Sequence, residues 1–237
     1  MRVPRDGLIR TLRSTPGTSA ALDTKGELRG YGRIRLGGGT WLGPFTVLGK
    51  PYRRVRGRPL RGAHATTSVG RRCDVGSFVC IGRGSRVGDD CDIDNYAVLE
   101  QDVRVGARSH VLYGAHISNW ASIGSDCVIG GFVGEGVKVG ARSRVFGYVI
   151  HAHLNPSVPW DSGQAASAVV GPDAFIGFGA IVTGGVRIGT RAYVCPSALV
   201  TRNVPPRTIV TGVNGHTPAS EWKGRLSSSP FFSGAVG

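Results

Sequence analysis

An aliphatic residue recurs at every sixth position over long stretches of this sequence, and this periodicity restricts the possible folds more than any other feature. A period of six is neither that of a helix nor that of an ordinary strand. The longest series has eleven consecutive members, all Val, Ile or Leu: Val69, Val75, Ile81, Val87, Ile93, Leu99, Val105, Val111, Ile117, Ile123 and Ile129. Shorter series flank it: Leu36, Leu42 and Leu48 before it, and Val139, Val145, Val170, Ile176, Val182, Ile188, Val194 and Val200 after it.

Two other positions of each six-residue unit are also restricted. The residue after the aliphatic one is often glycine, and the chain has 38 glycines in 237 residues, about twice the usual share. The fourth residue after the aliphatic one is small or of modest size, and in the longest series these residues are Cys73, Val79, Ser85, Cys91, Ala97, Val103, Ser109, Ala115, Ala121 and Cys127. Each unit therefore predicts a short strand and a sharp bend, where glycine relieves backbone strain.

Three such units close a triangular coil of about 18 residues, with the aliphatic side chains inside and the small residues near the corners. Roughly 22 units make about seven coils, or a prism of about 35 Å at about 4.8 Å per strand. The predicted organisation is an N-terminal cap over residues 1–31, a β-helix over 32–215 and a C-terminal tail over 216–237. A short helix near Glu221 is expected in the tail.

Two segments interrupt the periodicity and predict protruding loops over residues 51–68 and 150–169. The first loop holds five arginines and no acidic residue, so it can bind an anionic acceptor or simply be solvated. The phase also slips between Ile129 and Val139, where the sequence does not place the corner. Loops that leave a rigid scaffold are frequent sites of function.

Length and composition exclude several classes of protein. A chain of 237 residues with 41% hydrophobic residues fits one large all-β domain. No apolar run approaches the roughly 20 residues of a membrane span, and the arginine-containing N-terminus lacks the apolar stretch of a secretory signal. We therefore expect a cytoplasmic protein without a membrane partner. The five cysteines form no CxxC pair, which argues against a disulfide framework or a structural zinc site.

The periodic pattern resembles that of the hexapeptide-repeat acyltransferases, whose fold is a left-handed parallel β-helix. The resemblance covers about residues 32–215. Residues 171–189, and the segment L-V-T-R-N-V-P-P-R-T-I-V-T-G-V over 199–213, look like the closing part of acetyltransferases that act on xenobiotics and sugars. The resemblance implies a homotrimer with sites between neighbouring subunits. It also implies transfer of an acetyl group from acetyl-CoA to a hydroxyl or amine of a small molecule such as a sugar, an aminosugar or an antibiotic-like compound.

In those enzymes a loop histidine is the general base, and His153, with His151 as second choice, is the matching residue here. Imidazole titrates near neutral pH and can take a proton from an attacking hydroxyl or amine. Alternatively, both histidines only tie the loop to the prism. Asn155 and Trp160 share this loop and are candidates for the acceptor pocket, or for holding the shape of the loop.

The resemblance also implies that acetyl-CoA lies along the last coils. Arg202 matches the basic residue that follows V-T in the family, and arginine forks suit phosphate oxygens. The candidate cofactor residues are Gly179, Ala180, Ala198, Thr201, Arg202 and Arg207, although the small ones can equally serve only the coil geometry. The stretch G-V-N-G over 212–215 departs from the usual G-x-P-A.

Three other patterns have weaker functional implications. Acidic residues cluster over 89–102, and Asp94 is the candidate for holding a cationic substrate, although such residues are commonly exposed corner positions. His110 and His116 are six residues apart, which places them on successive faces, so we expect no metal. The arginines outside the first loop are spread around the prism without aromatic neighbours, which favours an anionic cofactor over nucleic acid. A γ-type carbonic anhydrase and a non-catalytic scaffold remain alternatives.

Overall fold

The computed structural model describes residues 21–22, 29–51, 65–152, 157, 166–224 and 229–233. These residues form a left-handed parallel β-helix in which each coil contributes one strand to each of three sheets. We call the sheets faces 1, 2 and 3, in the order in which the chain visits them. Strands that pair within a face are mostly 18 residues apart, as the three-unit coil predicts.

The strands are short, most of them two residues long. Face 1 contains Ala21–Leu22, Trp41–Leu42, Asp74–Val75, Asp92–Ile93, His110–Val111, Val128–Ile129, Arg144–Val145, Phe175–Ile176, Tyr193–Val194, Thr208–Thr211 and, antiparallel at its end, Gly215–Pro218. Face 2 contains Arg29–Gly30, Val47–Lys50, Cys80–Gly82, Val98–Leu99, His116–Ile117, Phe132–Val133, Tyr148–Val149, Ile181–Val182 and Leu199–Val200. Face 3 contains Ile34–Leu36, Thr67–Val69, Arg86–Val87, Arg104–Val105, Ser122–Ile123, Lys138–Val139, Val169–Val170 and Arg187–Ile188.

The core confirms the predicted inward residues. Every member of the aliphatic series is buried except Leu36, which packs partly buried against the core. The small residues at the fourth position are buried as well. Among them, the thiols of Cys73, Cys91 and Cys127 donate hydrogen bonds to backbone carbonyls at 3.1–3.2 Å. Burial raises the pKa of the Cys127 thiol, so this group packs as a neutral side chain.

The structure has more coils than the seven that the periodicity predicts, since face 2 alone contains nine strands among the described residues. Additional strands lie at the N-terminal end, where Ala21–Leu22 pairs with Trp41–Leu42. Others belong to two steps of four residues, from Ile129 to Val133 and from Val145 to Val149, which a search for a period of six misses.

These short steps explain the phase slip. At both of them the two-residue turn between faces 1 and 2 is missing, and a glycine takes its place. A Cβ on Gly131 would overlap the carbonyl oxygen of Gly147, and a Cβ on Gly147 would overlap that of Ala180. The backbones of successive coils are therefore too close at this corner for any side chain.

The two loops leave the prism at the same corner, between faces 2 and 3. Residues 52–64 of the first loop, including its arginines, lie outside the described residues. The second loop starts and ends in a short antiparallel pair, His151–Ala152 with Ala166–Ser167. Residues 153–156 and 158–165 lie outside the description.

The C-terminal part closes the prism with an antiparallel pair and two short helices. Thr208–Thr211 pairs with Gly215–Pro218, and a 3-10 helix follows at Ala219–Glu221. This confirms the helix expected near Glu221. An α-helical turn spans Pro230–Ser233.

The outward residues of the strands differ from face to face, although arginines occur around the whole prism, for example Arg144 on face 1 and Arg83 at the corner between faces 2 and 3. On face 3 the outward residue is Arg or Lys in five of the eight strands. On face 2 it is apolar in most strands. At the corner between faces 3 and 1, arginines pair with aspartates one coil away: Arg71 with Asp89, Arg72 with Asp90, Arg108 with Asp126 and Arg142 with Asp173.

Candidate active site

A histidine on face 2 is held by a carboxylate from the preceding coil. His116 is the outward residue of its strand, and its Nε2 lies 2.9 Å from Oε1 of Glu100. The other oxygen of Glu100, Oε2, accepts the backbone N–H of Asn119 at 3.0 Å. The His116 ring also packs tilted against Phe132, with ring centroids 5.4 Å apart. Oε1 therefore orients the imidazole, and the bond to Oε2 anchors the carboxylate itself.

This orientation determines which nitrogen of His116 can accept a proton. An ionised carboxylate only accepts hydrogen bonds, so Nε2 is the nitrogen that carries the hydrogen. Nδ1 is then the basic nitrogen of the neutral ring, and among the described residues it makes no hydrogen bond. The His116 side chain is 40% exposed and the Glu100 side chain 18%. The imidazole is therefore partly exposed to solvent while the carboxylate stays largely covered.

His151 lies two coils further along the corner between faces 2 and 3 and has a different environment. Its Nδ1 accepts the backbone N–H of Glu135 at 3.1 Å. Asn119 makes the equivalent contact to the N–H of Gln101 at 3.1 Å, and Asn95 makes it to that of Ser77 at 2.7 Å at another corner. His151 thus takes the place of a side chain that links successive turns.

The contact with Glu135 has a consequence for proton transfer. Because Nδ1 of His151 accepts a hydrogen bond, the neutral ring carries its hydrogen on Nε2 and has no basic nitrogen left for a substrate. The return strand of the loop is anchored at the same place, since Ser167 Oγ donates to the carbonyl of Glu135 at 2.7 Å. The geometry thus favours the structural alternative for His151.

The other loop candidates, His153, Asn155 and Trp160, lie outside the described residues and stay predictions. The residues described so far come from successive coils along one edge of the prism, and the second loop leaves from the same edge. They are Glu100, His116, Asn119, Glu135 and His151.

Near the end of the prism, Asn214 holds two of the predicted cofactor residues. Its Oδ1 accepts the N–H of Thr201 at 2.9 Å, and its Nδ2 donates to Thr201 Oγ1 at 2.6 Å. Arg202 donates from Nη2 to the carbonyl of Asn214 at 2.8 Å. Asn214 belongs to the stretch that departs from the family pattern, and here it fixes an exposed arginine in place.

The field around Arg202 is positive. Burial and the charge of Arg202 lower the pKa of His216, which pairs opposite Val210 in the closing strands. Arg207 is also exposed, at a turn with φ of 52°. Positive charge at this end is suited to phosphate groups.

The small residues predicted to line the cofactor fall into two groups. Ala180 and Ala198 are 0% and 1% exposed, so their methyl groups face the core and cannot form the wall of an outer cleft. Any cofactor contact at these two positions would therefore involve the backbone, and it stays a prediction. Gly179 is a turn residue with φ of 67°, and a Cβ there would meet only Ser197 Oγ, at 3.6 Å. The outer surface at this corner is therefore formed by Gly179 and its turn neighbours.

Asp94 lies at the turn between the face 1 strand Asp92–Ile93 and the face 2 strand Val98–Leu99. Its Oδ1 accepts the N–H of Asn95 at 2.8 Å, which is a local turn contact. Burial, together with the charges of Asp92 and Asp94, raises the pKa of Asp74.

His110 and His116 lie on faces 1 and 2, as their spacing predicts. Within the described part of the chain, no group of three or more His, Cys, Asp or Glu residues could hold a metal ion.

A family model described as the hexapeptide repeat of succinyl-transferase matches residues 121–146 and 168–200. Together with the nine-stranded face and the buried aliphatic series, this match shows that the chain contains hexapeptide repeats. No helix in the described part of this hexapeptide-repeat protein is both long and apolar enough to cross a membrane.

This hexapeptide-repeat chain is similar to several known proteins. It is 28% identical over 196 residues to the bifunctional protein GlmU of Exiguobacterium sibiricum, which covers 78% of this chain and 42% of that one. The chain thus spans less than half the length of this curated relative. The UDP-N-acetylglucosamine acyltransferase of Francisella novicida superimposes with a TM-score of 0.54 at 20% identity, over 84% of this chain and 69% of that one. The corresponding enzyme from Campylobacter jejuni gives a TM-score of 0.40 at 13% identity, over 86% and 73%. The Francisella enzyme shows the same fold.

Sequence reasoning missed the contact between His116 and Glu100 in this hexapeptide-repeat protein. A signal for it existed, because residues about one coil apart in the sequence stack on each other. Glu100 precedes His116 by 16 residues, close to one coil. In the sequence, His116 was considered only as a possible metal ligand.

Proposed function

We propose that this protein is an acyltransferase that moves an acyl group, acetyl as the first choice, from a CoA thioester to a hydroxyl or amine of a small molecule. The observation that carries the proposal is the partly exposed imidazole of His116, which is held by Glu100 through Nε2 and makes no hydrogen bond from Nδ1 to a described residue. The match to the hexapeptide repeat of succinyl-transferase and the similarity to a UDP-N-acetylglucosamine acyltransferase support the reaction class and a sugar-like acceptor. A cytoplasmic location remains part of the proposal.

The proposed chemistry is direct attack. His116 Nδ1 takes the proton of the acceptor hydroxyl or amine as its oxygen or nitrogen forms a bond to the thioester carbonyl carbon. The resulting imidazolium is stabilised by the Glu100 carboxylate at 2.9 Å. When the carbon–sulfur bond breaks, the thiolate of CoA leaves and takes the proton from Nδ1. A backbone N–H from a neighbouring coil would steady the oxyanion.

The proposed cofactor end includes Thr201 and Arg202 at the corner between faces 2 and 3 and Arg207 at the following corner of the same last coil. The Arg202 guanidinium is held by its hydrogen bond to the Asn214 carbonyl. Because this side chain is already ordered, phosphate binding would cost less conformational entropy. Fixed arginine forks bind phosphate oxygens with defined geometry. We assign the phosphates of CoA to this end.

The outer row of face 2 supports the proposed homotrimer. Tyr148 and Ile181 are 52% and 39% exposed in the single chain, and Val98, Phe132 and Leu199 continue the row. A row of apolar side chains on a rigid face is suited to contact with another subunit. His116 lies in the same row, so a neighbouring subunit would complete the walls around it.

Calorimetric titration with acetyl-CoA tests the donor. We expect micromolar binding that weakens at least tenfold in Arg202→Ala and stays unchanged in Arg86→Ala. Arg86 is an exposed arginine on face 3, so Arg86→Ala removes the same charge from a different surface. No binding at millimolar acetyl-CoA would contradict the proposed donor, and equal weakening in both variants would contradict the assigned phosphate end.

A further inference from the structure

Face 3 presents a straight row of positive charges to solvent. We call this the basic row, and it consists of the outward residues of all eight strands: Arg35, Ser68, Arg86, Arg104, Ser122, Lys138, Val169 and Arg187. The five basic side chains are all exposed, and the row contains no acidic residue. Because each residue pairs directly with the next, the row runs along the prism for about 35 Å.

The charges of the basic row are not used within the described part of the protein. None of the ion pairs between described residues includes a member of the row. The neighbouring corner is different, since there each arginine of the four Arg–Asp pairs is bound to a carboxylate at 2.6–2.8 Å. The row therefore presents five of the 29 basic residues of the chain on one face, and no ion pair between described residues neutralises them.

The composition of the row restricts the kind of anion that it fits. Arg86 and Arg104 are directly paired neighbours, whereas Lys138 and Arg187 each follow after one uncharged residue. Such a ladder matches a surface with many dispersed negative charges rather than one phosphate group. No aromatic side chain lies in the row, so stacking on nucleobases has no platform here.

We propose that face 3 binds peripherally to the surface of an anionic lipid bilayer. A straight row on a flat sheet meets a plane along its whole length, so all five basic side chains can contact headgroups together. Juxtamembrane basic residues are attracted to anionic leaflets in this way, and salt weakens the attraction. This contact needs no membrane-spanning helix.

Duplex DNA fits the row less well. One helical turn is about 34 Å, so each strand winds once around the duplex over the length of the row. A straight line of cations then meets each phosphate backbone only near one crossing. The aromatic side chains at the corner between faces 1 and 2 lie opposite face 3, which leaves the proposed contact purely electrostatic.

Vesicle co-sedimentation with the full chain tests this proposal. The probe is vesicles of phosphatidylcholine with about one third phosphatidylserine, compared with pure phosphatidylcholine, at low and at high salt. The test variant is Arg86→Gln/Arg104→Gln/Lys138→Gln. The matched control, Arg72→Gln/Arg108→Gln/Arg142→Gln, loses the same charge from the adjacent corner. Circular dichroism verifies that both fold.

We expect binding only to the anionic vesicles, release at high salt, and about a hundredfold weaker partitioning for the test variant, which corresponds to about 1 kcal/mol per basic residue. The control should lose less than tenfold. If the test variant does not fold, Ser122→Asp places a negative charge inside the row without removing an arginine, and it should weaken binding about tenfold. Unchanged binding of the row variants, equal loss in the control, or binding to a 30-base-pair duplex but not to vesicles would each overturn the proposal. The acyl-CoA titration is independent of all these outcomes.

Discussion

Faces 2 and 3 have the same interior and different exteriors. Leu99 and Ile117 of face 2 are buried as completely as Val105 and Ile123 of face 3, within a few per cent. One residue earlier in each strand, face 2 presents mainly apolar side chains and one oriented histidine, whereas face 3 presents arginine and lysine. The inward position is restricted by the core and determines the fold. The outward position is free of that restriction, so it can differ between faces and determine what each face binds.

The largest effect that separates the two faces should come from His116. We expect His116→Ala to lower kcat/KM by 10²–10⁴, the usual contribution of a general base. The matched control is His110→Ala, which removes a histidine from the same strand position on face 1. It should change kcat/KM less than threefold. Steady-state assays with acetyl-CoA and a panel of sugar and aminosugar acceptors measure this.

The same assay distinguishes His116 from the loop histidines. If His153→Ala abolishes turnover while His116→Ala leaves it intact, the base is the loop residue that the sequence predicts and the assignment to face 2 is wrong. His151→Ala should act mainly through the loop, with a higher KM and a smaller change in kcat.

The next largest effect concerns the two four-residue steps from face 1 to face 2, where the usual turn between these faces is missing. Gly131→Ala should lower the free energy of unfolding by about 3 kcal/mol, because its Cβ would overlap the Gly147 carbonyl. Gly114→Ala is the matched control. A Cβ there meets no atom within 4 Å, and only its φ of 66° opposes the substitution, at a cost of about 1 kcal/mol. Thermal denaturation compares the two, and equal melting temperatures would show that the coils can separate at this corner.

A smaller effect is expected from the carboxylate that positions His116. Glu100→Gln keeps the shape of the side chain and removes its charge, so the imidazolium loses its stabilising partner. We expect kcat to fall about ten- to hundredfold with KM nearly unchanged, and Glu100→Asp to recover part of the loss. A rise in KM at constant kcat would instead indicate that Glu100 contacts the acceptor.

The smallest effect concerns the arginine–aspartate ladder beside face 3. The hydrogen bond from Arg142 lowers the pKa of Asp173. A lowered carboxyl pKa stabilises the fold above the ordinary value near 4, and this contribution disappears as the pH falls through the lowered value. Arg142→Gln should therefore melt slightly below the unmodified protein at pH 7, and the two curves should converge as the pH falls through the lowered pKa of Asp173. A difference that grows in acid would contradict the assignment.

The inward half of this structure was predictable, because core residues follow one rule at every strand. The series from Val69 to Ile129, the buried cysteines and the helix near Glu221 are predictions that the structure confirms. The coil count was too low, because Val133 and Val149 follow steps of four residues and escape a search for a period of six.

The outward half was less predictable for a physical reason. Neighbours on a face are about one coil apart in the sequence, so function depends on residues read in steps of about 18 rather than six. Arg86, Arg104, Ser122 and Lys138 are 18, 18 and 16 residues apart, and Glu100 and His116 are 16 apart. The arginines therefore look dispersed along the chain and line up only in the fold.

The corner between faces 3 and 1 keeps one length throughout the described coils, with six residues from each inward side chain to the next, for example from Val105 to Val111 and from Val139 to Val145. The other two corners contain all the shortened steps and both loops. The loops and the shortened steps therefore occur only at the two described corners that lack the arginine–aspartate ladder. For protein engineering, this means that a peptide tag or a foreign loop is best inserted between faces 2 and 3. The corner between faces 3 and 1 should be left at its constant length of six residues.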